Sequence, residues 1–147
     1  MPKKYILLVD DNPRDVELTR AAISKLDLEI EVVVVNDGDQ ALDYLFRRNA
    51  FEGLEKSQPA LILLDLKMPK VNGMEVLRIA KSEPDLLTIP IIILSSSEQD
   101  IDVYQSYGYG ANAYVVKPID FIEFTESIRT IFYFWLDIIE SVKPKSP

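Results

Sequence analysis

Histidine and cysteine are both absent from the 147 residues. Without histidine the chain has no imidazole base, no imidazole metal ligand and no phosphohistidine of its own. Without cysteine it has neither a disulfide nor a thiolate site, which suits a reducing compartment. Long apolar runs are missing as well. The opening MPKKYILLVDD offers one short apolar run before two acids, too little for a signal peptide, and no stretch is long enough to span a membrane. Positive charge is in deficit: 16 Lys and Arg stand against 24 Asp and Glu, a formal net charge of −8. That balance disfavours direct contact with nucleic acid or an anionic membrane. The expectation is a cytoplasmic protein, one domain over residues 1–147, large enough to bury its own core.

What is present is an alternation. Five short apolar runs, YILLV (5–9), IEVVVV (30–35), LILL (61–64), PIIIL (90–94) and AYVV (113–116), are separated by helix-like segments. The first helix opens at DNPRDVE, with Asp11 or Asn12 as its cap and Pro13 in the first turn. Val16, Thr19, Ile23 and Leu26 then recur at helical spacing. Further helices start at NDGDQALDYLF, NGMEVLRIAK, SEQDIDVYQSY and PIDFIEFTESIRTIFYFWLDIIE, the last being long. Strand–helix alternation repeated five times predicts an α/β domain: a doubly wound, five-stranded parallel sheet with helices on both faces. Its expected order is 2-1-3-4-5, flavodoxin-like, with the ligand crevice at the carboxyl edge between strands 1 and 3.

The residues that follow the strands carry the chemistry. Strand 1 runs into Asp10 and Asp11, strand 3 into Asp65, strand 4 into Ser95, Ser96 and Ser97, and strand 5 into Lys117. Any one of them alone reads as a cap or turn residue. In a parallel sheet, however, all four ends lie on one edge. Crowded carboxylates repel, and a cation or a proton relieves them. An all-oxygen donor set in an open site favours a hard ion, Mg²⁺. Asp65 is then left as a carboxylate nucleophile towards phosphorus, needing no histidine base. Phosphoryl transfer demands mainly positioning and charge neutralisation, which a metal, the Lys117 ammonium and the Ser95 hydroxyl can supply.

VDDN, LLDLKMPKVNG, ILSSS and YVVKP, with the spacing from Asp65 to Ser95 and to Lys117, resemble the receiver domain of two-component response regulators over nearly the whole chain. The resemblance implies that Asp65 is the phosphoacceptor and that Asp10 and Asp11 hold Mg²⁺ together with Asp65 and the Lys67 backbone carbonyl. It makes Ser95 the switch hydroxyl, Lys117 the phosphate-pairing lysine and Tyr114 the aromatic that reports phosphorylation. Lys117–Pro118 resembles the family's cis peptide. The implied partner is a sensor histidine kinase. The longer segment RRNAFEGLEKSQPA (47–60), the FRR tripeptide, the DFxxF start of the last helix and the terminal FWL are similar to phytochrome-associated receivers of cyanobacteria.

Two departures from the family pattern stand out: serine in place of the commoner threonine at 95, and the cation of Lys67 beside the acceptor. Few residues follow Lys117 and the last helix takes most of them, so a receiver without a separate output domain is expected, signalling by contact rather than as an enzyme. On a helical wheel Phe121, Phe124, Ile128, Ile131, Trp135 and Ile138 form the core stripe, leaving Tyr133, Phe134 and Leu136 for a homodimer interface extending the helix 4–strand 5–helix 5 face. Two other classes compete: a receiver-fold adaptor working by constitutive protein contacts, and an aspartate-nucleophile phosphatase. The first would fit a chain lacking the acceptor or the lysine, and the second one with a carboxylate where Lys67 stands.

Overall fold

The computed structural model describes residues 4–26, 28–68, 71–96, 100–117 and 120–138. In chain order the elements are β1 (Tyr5–Val9), α1 (Pro13–Ser24), β2 (Glu31–Val35), α2 (Gly38–Phe46), β3 (Leu61–Leu64), α3 (Gly73–Ser82), β4 (Ile91–Ser95), α4 (Asp100–Gly108), β5 (Ala113–Val116) and α5 (Phe121–Phe132). A 3-10 turn, Asn49–Phe51, follows α2, and a π-helical stretch, Tyr133–Ile138, continues α5. The strands form one parallel sheet in the order β2-β1-β3-β4-β5.

Side-chain alternation along the strands divides the core into two layers. Tyr5, Leu7, Val9, Ile62, Leu64, Ile91 and Ile93 pack with Ala41, Leu42 and Leu45 of α2 and with Val76, Leu77 and Ala80 of α3. Their neighbours Ile6, Leu8, Leu61, Leu63, Ile92 and Leu94 pack with Val16, Ala22 and Ile23 of α1 and with Phe124, Ile128 and Phe132 of α5. Strands covered on both faces have no use for polar alternation, which is why β1, β3 and β4 read as continuous apolar runs. The edge strand β5 is only half-buried.

Among the described residues, four helices begin with a side-chain cap. Asn12, Asp37, Asn72 and Asp120 each accept a backbone N–H from the first turn that follows. Asn12, rather than Asp11, caps α1, and Pro13 stands directly after it. Asp11 is thereby left with its carboxylate uncommitted to the helix.

The 47–60 segment folds onto β1 and α2. Arg47 ends α2 in the left-handed region (φ 55). Its guanidinium donates to the Tyr44 carbonyl at 2.6 Å and the Lys56 carbonyl at 2.7 Å. The buried Tyr5 hydroxyl donates to the Ser57 carbonyl at 2.6 Å and accepts from the Tyr44 hydroxyl at 3.0 Å. The extra length is thus tied down by side chains of the sheet and of α2.

The C-terminal helix requires a correction. Leu136, expected to leave the core stripe, is only 6% exposed and packs within the α1–α5 layer. Phe124, Ile128, Phe132 and Leu136 form a row at four-residue spacing that starts in the predicted stripe and leaves it at Phe132, and all four are buried. The buried face is wider than a narrow seam, as it is for a helix lying between a sheet and another helix. Lys4 Nζ donates to the Leu136 carbonyl at 3.2 Å, fastening the π-helical stretch to the start of β1. Phe134 is 50% exposed and Tyr133 half-buried, so these two side chains remain at the surface. The side chain of Ile138 and the Lys117–Pro118 bond lie outside the described residues.

Candidate functional site

Strand register brings the expected residues to one edge. Val9 and Leu64 are partners, so Asp10 and Asp65 emerge side by side. The Asp65 amide donates to the Val9 carbonyl at 3.0 Å, and the Asp10 amide to the Val35 carbonyl at 3.2 Å. Ser95 pairs with Val116, and the Lys117 amide donates to the Ser95 carbonyl at 2.8 Å. Beyond Asp65 the chain doubles back tightly. A Cβ on Gly73 would lie 2.0 Å from the Asp65 carbonyl oxygen, and the Gly73 amide donates to the Leu66 carbonyl at 2.9 Å. Only glycine permits that approach, so Gly73 holds the Asp65 loop against the start of α3.

An open cleft of about 490 Å³ runs along this edge, lined by Asp11, Asn12, Pro13, Asp15, Asp65, Lys67, Ser96 and Lys117. Asp10, Asp11 and Asp65 each offer an oxygen within 4.8 Å of the others. Asp10 and Asp65 are buried and Asp11 is exposed. The Asp10 carboxylate accepts from the Asn12 amide at 3.0 Å, and Asp65 Oδ1 from the Lys67 amide at 3.3 Å. Lys117 reaches in from β5. Its Nζ lies 3.0 Å from Asp15, 3.1 Å from Asp10 and 3.9 Å from Asp65.

Burial pushes the Asp65 carboxyl up to about 6, and the charges of Asp10 and Asp11 add to the effect. Lys117 and the Lys67 amide pull it down by less. Burial acts on Lys117 in the opposite sense to its partners. It lowers the ammonium, but Asp65, Asp10 and Asp15 outweigh it and hold Lys117 above its ordinary value. Asp65 is therefore a crowded carboxylate with insufficient positive charge around it. A divalent cation fits what is missing: three carboxylates with oxygen donors only, opening onto solvent, match Mg²⁺ or another hard ion.

Asp10, Asp11, Asp65 and Lys117 thus converge as their strand-end positions imply. The Lys67 backbone lies beside Asp65, and the Lys67 side chain is exposed. Ser95 is fully buried, whereas Ser96 stands in the cleft wall. Tyr114 is half-buried against the α2–α3 layer, and its amide donates to the Tyr107 hydroxyl at 3.1 Å. Ser97 lies outside the described residues. Sequence reasoning missed Asp15. The available signal was its place in the first turn of a helix that starts directly after the acidic pair.

The response regulator receiver domain model matches residues 6–129. The response regulator Rcp1 of Synechocystis is 34% identical over 94% of this chain and 92% of its own length. The solved structure of the phosphorylated cyanobacterial phytochrome response regulator RcpA superposes with a TM-score of 0.86 at 38% identity, covering 92% of this chain and 96% of that one. The bacteriophytochrome response regulator RtBRR is 48% identical with a TM-score of 0.78, covering 99% of this chain and 85% of that one. Rcp1 has also been solved in a Mn²⁺-bound form, with a TM-score of 0.84 at 33% identity, covering 99% of this chain and all of that one.

Proposed function

The chain belongs to the response regulator receiver family, and from that premise we propose that it takes a phosphoryl group from a sensor histidine kinase onto Asp65. The observation that carries the reading is Asp65 itself: a carboxylate at the end of a central strand, facing an open cleft, with two further carboxylates within 4.8 Å and an ammonium at 3.9 Å. One Asp65 oxygen forms the bond to phosphorus as the bond to the kinase's histidine nitrogen breaks, its electron pair returning to nitrogen. Asp10, Asp11, Asp65 and the Lys67 carbonyl would hold Mg²⁺, which when bound neutralises charge on the phosphoryl oxygens. Lys117 supplies the counter-charge for the phosphorylated state, about −1.5 to −2. Ser95 and Tyr114 then shift together, moving the population of β5 and α4 between two packings. The Mn²⁺-bound form of Rcp1 supports the divalent-metal part of this reading. The likeness to the phytochrome response regulator RcpA and the bacteriophytochrome response regulator RtBRR supports a phytochrome as the kinase.

The response leaves the domain by protein contact in the cytoplasm, with a homodimer through the α4–β5–α5 face extended by Tyr133 and Phe134. Residue 134 is the strongest reason for that extension, since half of a large aromatic stands in solvent. Acetyl phosphate with Mg²⁺, followed by intact-mass measurement, tests the central claim. One phosphoryl adduct is expected on the wild type and none on Asp65→Asn. An adduct of equal yield on that variant would overturn the assignment.

A further inference from the structure

Lys117 is shared unequally. Its two hydrogen-bonded partners are Asp15 at 3.0 Å and Asp10 at 3.1 Å, while the acceptor Asp65 is beyond hydrogen-bond range at 3.9 Å. Resting on the reading of Asp65 as phosphoacceptor, we propose that Asp15 is a positioning residue for the switch: it holds the Lys117 ammonium on the α1 side of the cleft, and a phosphoryl group on Asp65 must take the ammonium from it.

The two present partners differ in what happens when they let go. The Asp10 side chain is 1% exposed, so its carboxylate cannot exchange Lys117 for water. The Asp15 side chain is 30% exposed on the cleft rim, and released there it is rehydrated. It also sits in the first turn of α1, three residues after the cap, where the helix end stabilises an anion without a cation's help. Asp15 is therefore the partner that yields, and Asp10 the one that stays. Asp15 is not one of the three carboxylates whose oxygens cluster for a metal. Its effect on the switch thus runs through Lys117 and not through ligation.

An ammonium held by a charge-assisted hydrogen bond has to be won back at every phosphorylation. Removing the Asp15 charge lets Lys117 pair with the phosphoryl oxygens at lower cost, so the phosphorylated conformation becomes easier to reach. An isosteric amide at 15 keeps the helix turn and most of the packing. A glutamate keeps the charge and can still reach the ammonium.

Beryllofluoride, which stands in for the phosphoryl group on aspartate, gives the direct measurement. Titrate it with Mg²⁺ into wild type, Asp15→Asn and Asp15→Glu while following amide shifts in β5, and compare thermal unfolding of the three. Asp15→Asn is expected to reach half-saturation at a concentration lower by on the order of tenfold. Asp15→Glu should fall near the wild type, and all three should unfold at similar temperatures. Half-saturation in Asp15→Asn equal to or above that of the wild type would overturn the role of Asp15. The same result is read in Asp15→Ser if the amide destabilises the fold. A wild type that neither binds beryllofluoride nor is phosphorylated on Asp65 would overturn the acceptor reading itself. An Asp15 effect absent from a wild type that does bind overturns only this inference.

Discussion

Asp65 is charged at neutral pH against the preference of its surroundings. Its folded pKa is about 6, above the ordinary 3.8, chiefly because it is buried. Between those two values the folded protein keeps a proton that the unfolded chain has released. Stability therefore falls as pH rises through that window and stays reduced above it. In the absence of divalent metal, Asp65→Asn should be more stable than wild type at about pH 7.5, by about 1–3 kcal/mol, and the gain should vanish below about pH 4. Urea unfolding in chelator at both pH values measures this. An equal difference at the two would mean that the gain does not come from the carboxylate charge. Mg²⁺ should narrow the gap at the higher pH, because it stabilises the wild-type carboxylate. Lys117 contributes the opposite balance. Its three acidic neighbours keep it charged, so it does not titrate in this range.

At the scale of elements, the turn from β3 to α3 governs where Asp65 points. Gly73 lies against the Asp65 carbonyl so closely that a methyl group would stand 2.0 Å away, touching backbone rather than a movable side chain. Gly73→Ala is expected to force the loop open. It should destabilise the domain by about 1–3 kcal/mol and slow phosphorylation from acetyl phosphate several-fold. Denaturant unfolding and the rate of mass gain check the two halves separately. Loss of stability at an unchanged rate would separate the loop from acceptor geometry. The same element logic explains the 47–60 segment. Two side chains, Tyr5 of β1 and Arg47 at the end of α2, satisfy the Ser57 and Lys56 carbonyls, and the segment is held without a strand or long helix of its own.

For the whole molecule, burial changes abruptly at the end of α5. Phe132 is fully buried and Phe134 is 50% exposed, although both are aromatic and two residues apart. Phe132→Ala should lower stability by about 3–5 kcal/mol, as core truncations of Phe do. Phe134→Asp should leave stability nearly unchanged and weaken self-association instead. Light scattering at micromolar concentration reads the second effect. A wild type that stays monomeric with and without phosphodonor would show that Phe134 serves no dimer, and a dimer indifferent to the substitution would place the contact elsewhere. The net charge of −8 opposes association at long range, so apolar contact has to supply the attraction.

The fold and the place of Asp65 at the carboxyl edge were legible because they are written in local pattern. A strand buried on both faces must be apolar throughout, and parallel strands bring their carboxyl ends to one edge. The order of polar residues after β1, β3 and β5 was therefore enough to assemble Asp10, Asp11, Asp65 and Lys117, while Ser95 ends β4 fully buried and Ser96 stands in the cleft wall. Two things escaped that reading for one reason. Leu136 and Asp15 each owe their role to what faces them from a distant element: the α1–α5 layer for the first, and Lys117 of β5 for the second. A helical wheel ranks the sides of one helix but does not say how wide a face the neighbours will cover. Nor does a strand-end rule say which of four carboxylates an ammonium will choose. Those choices depend on packing and on differences of an ångström, 3.0 against 3.9 Å at Lys117, and only the tertiary structure decides them.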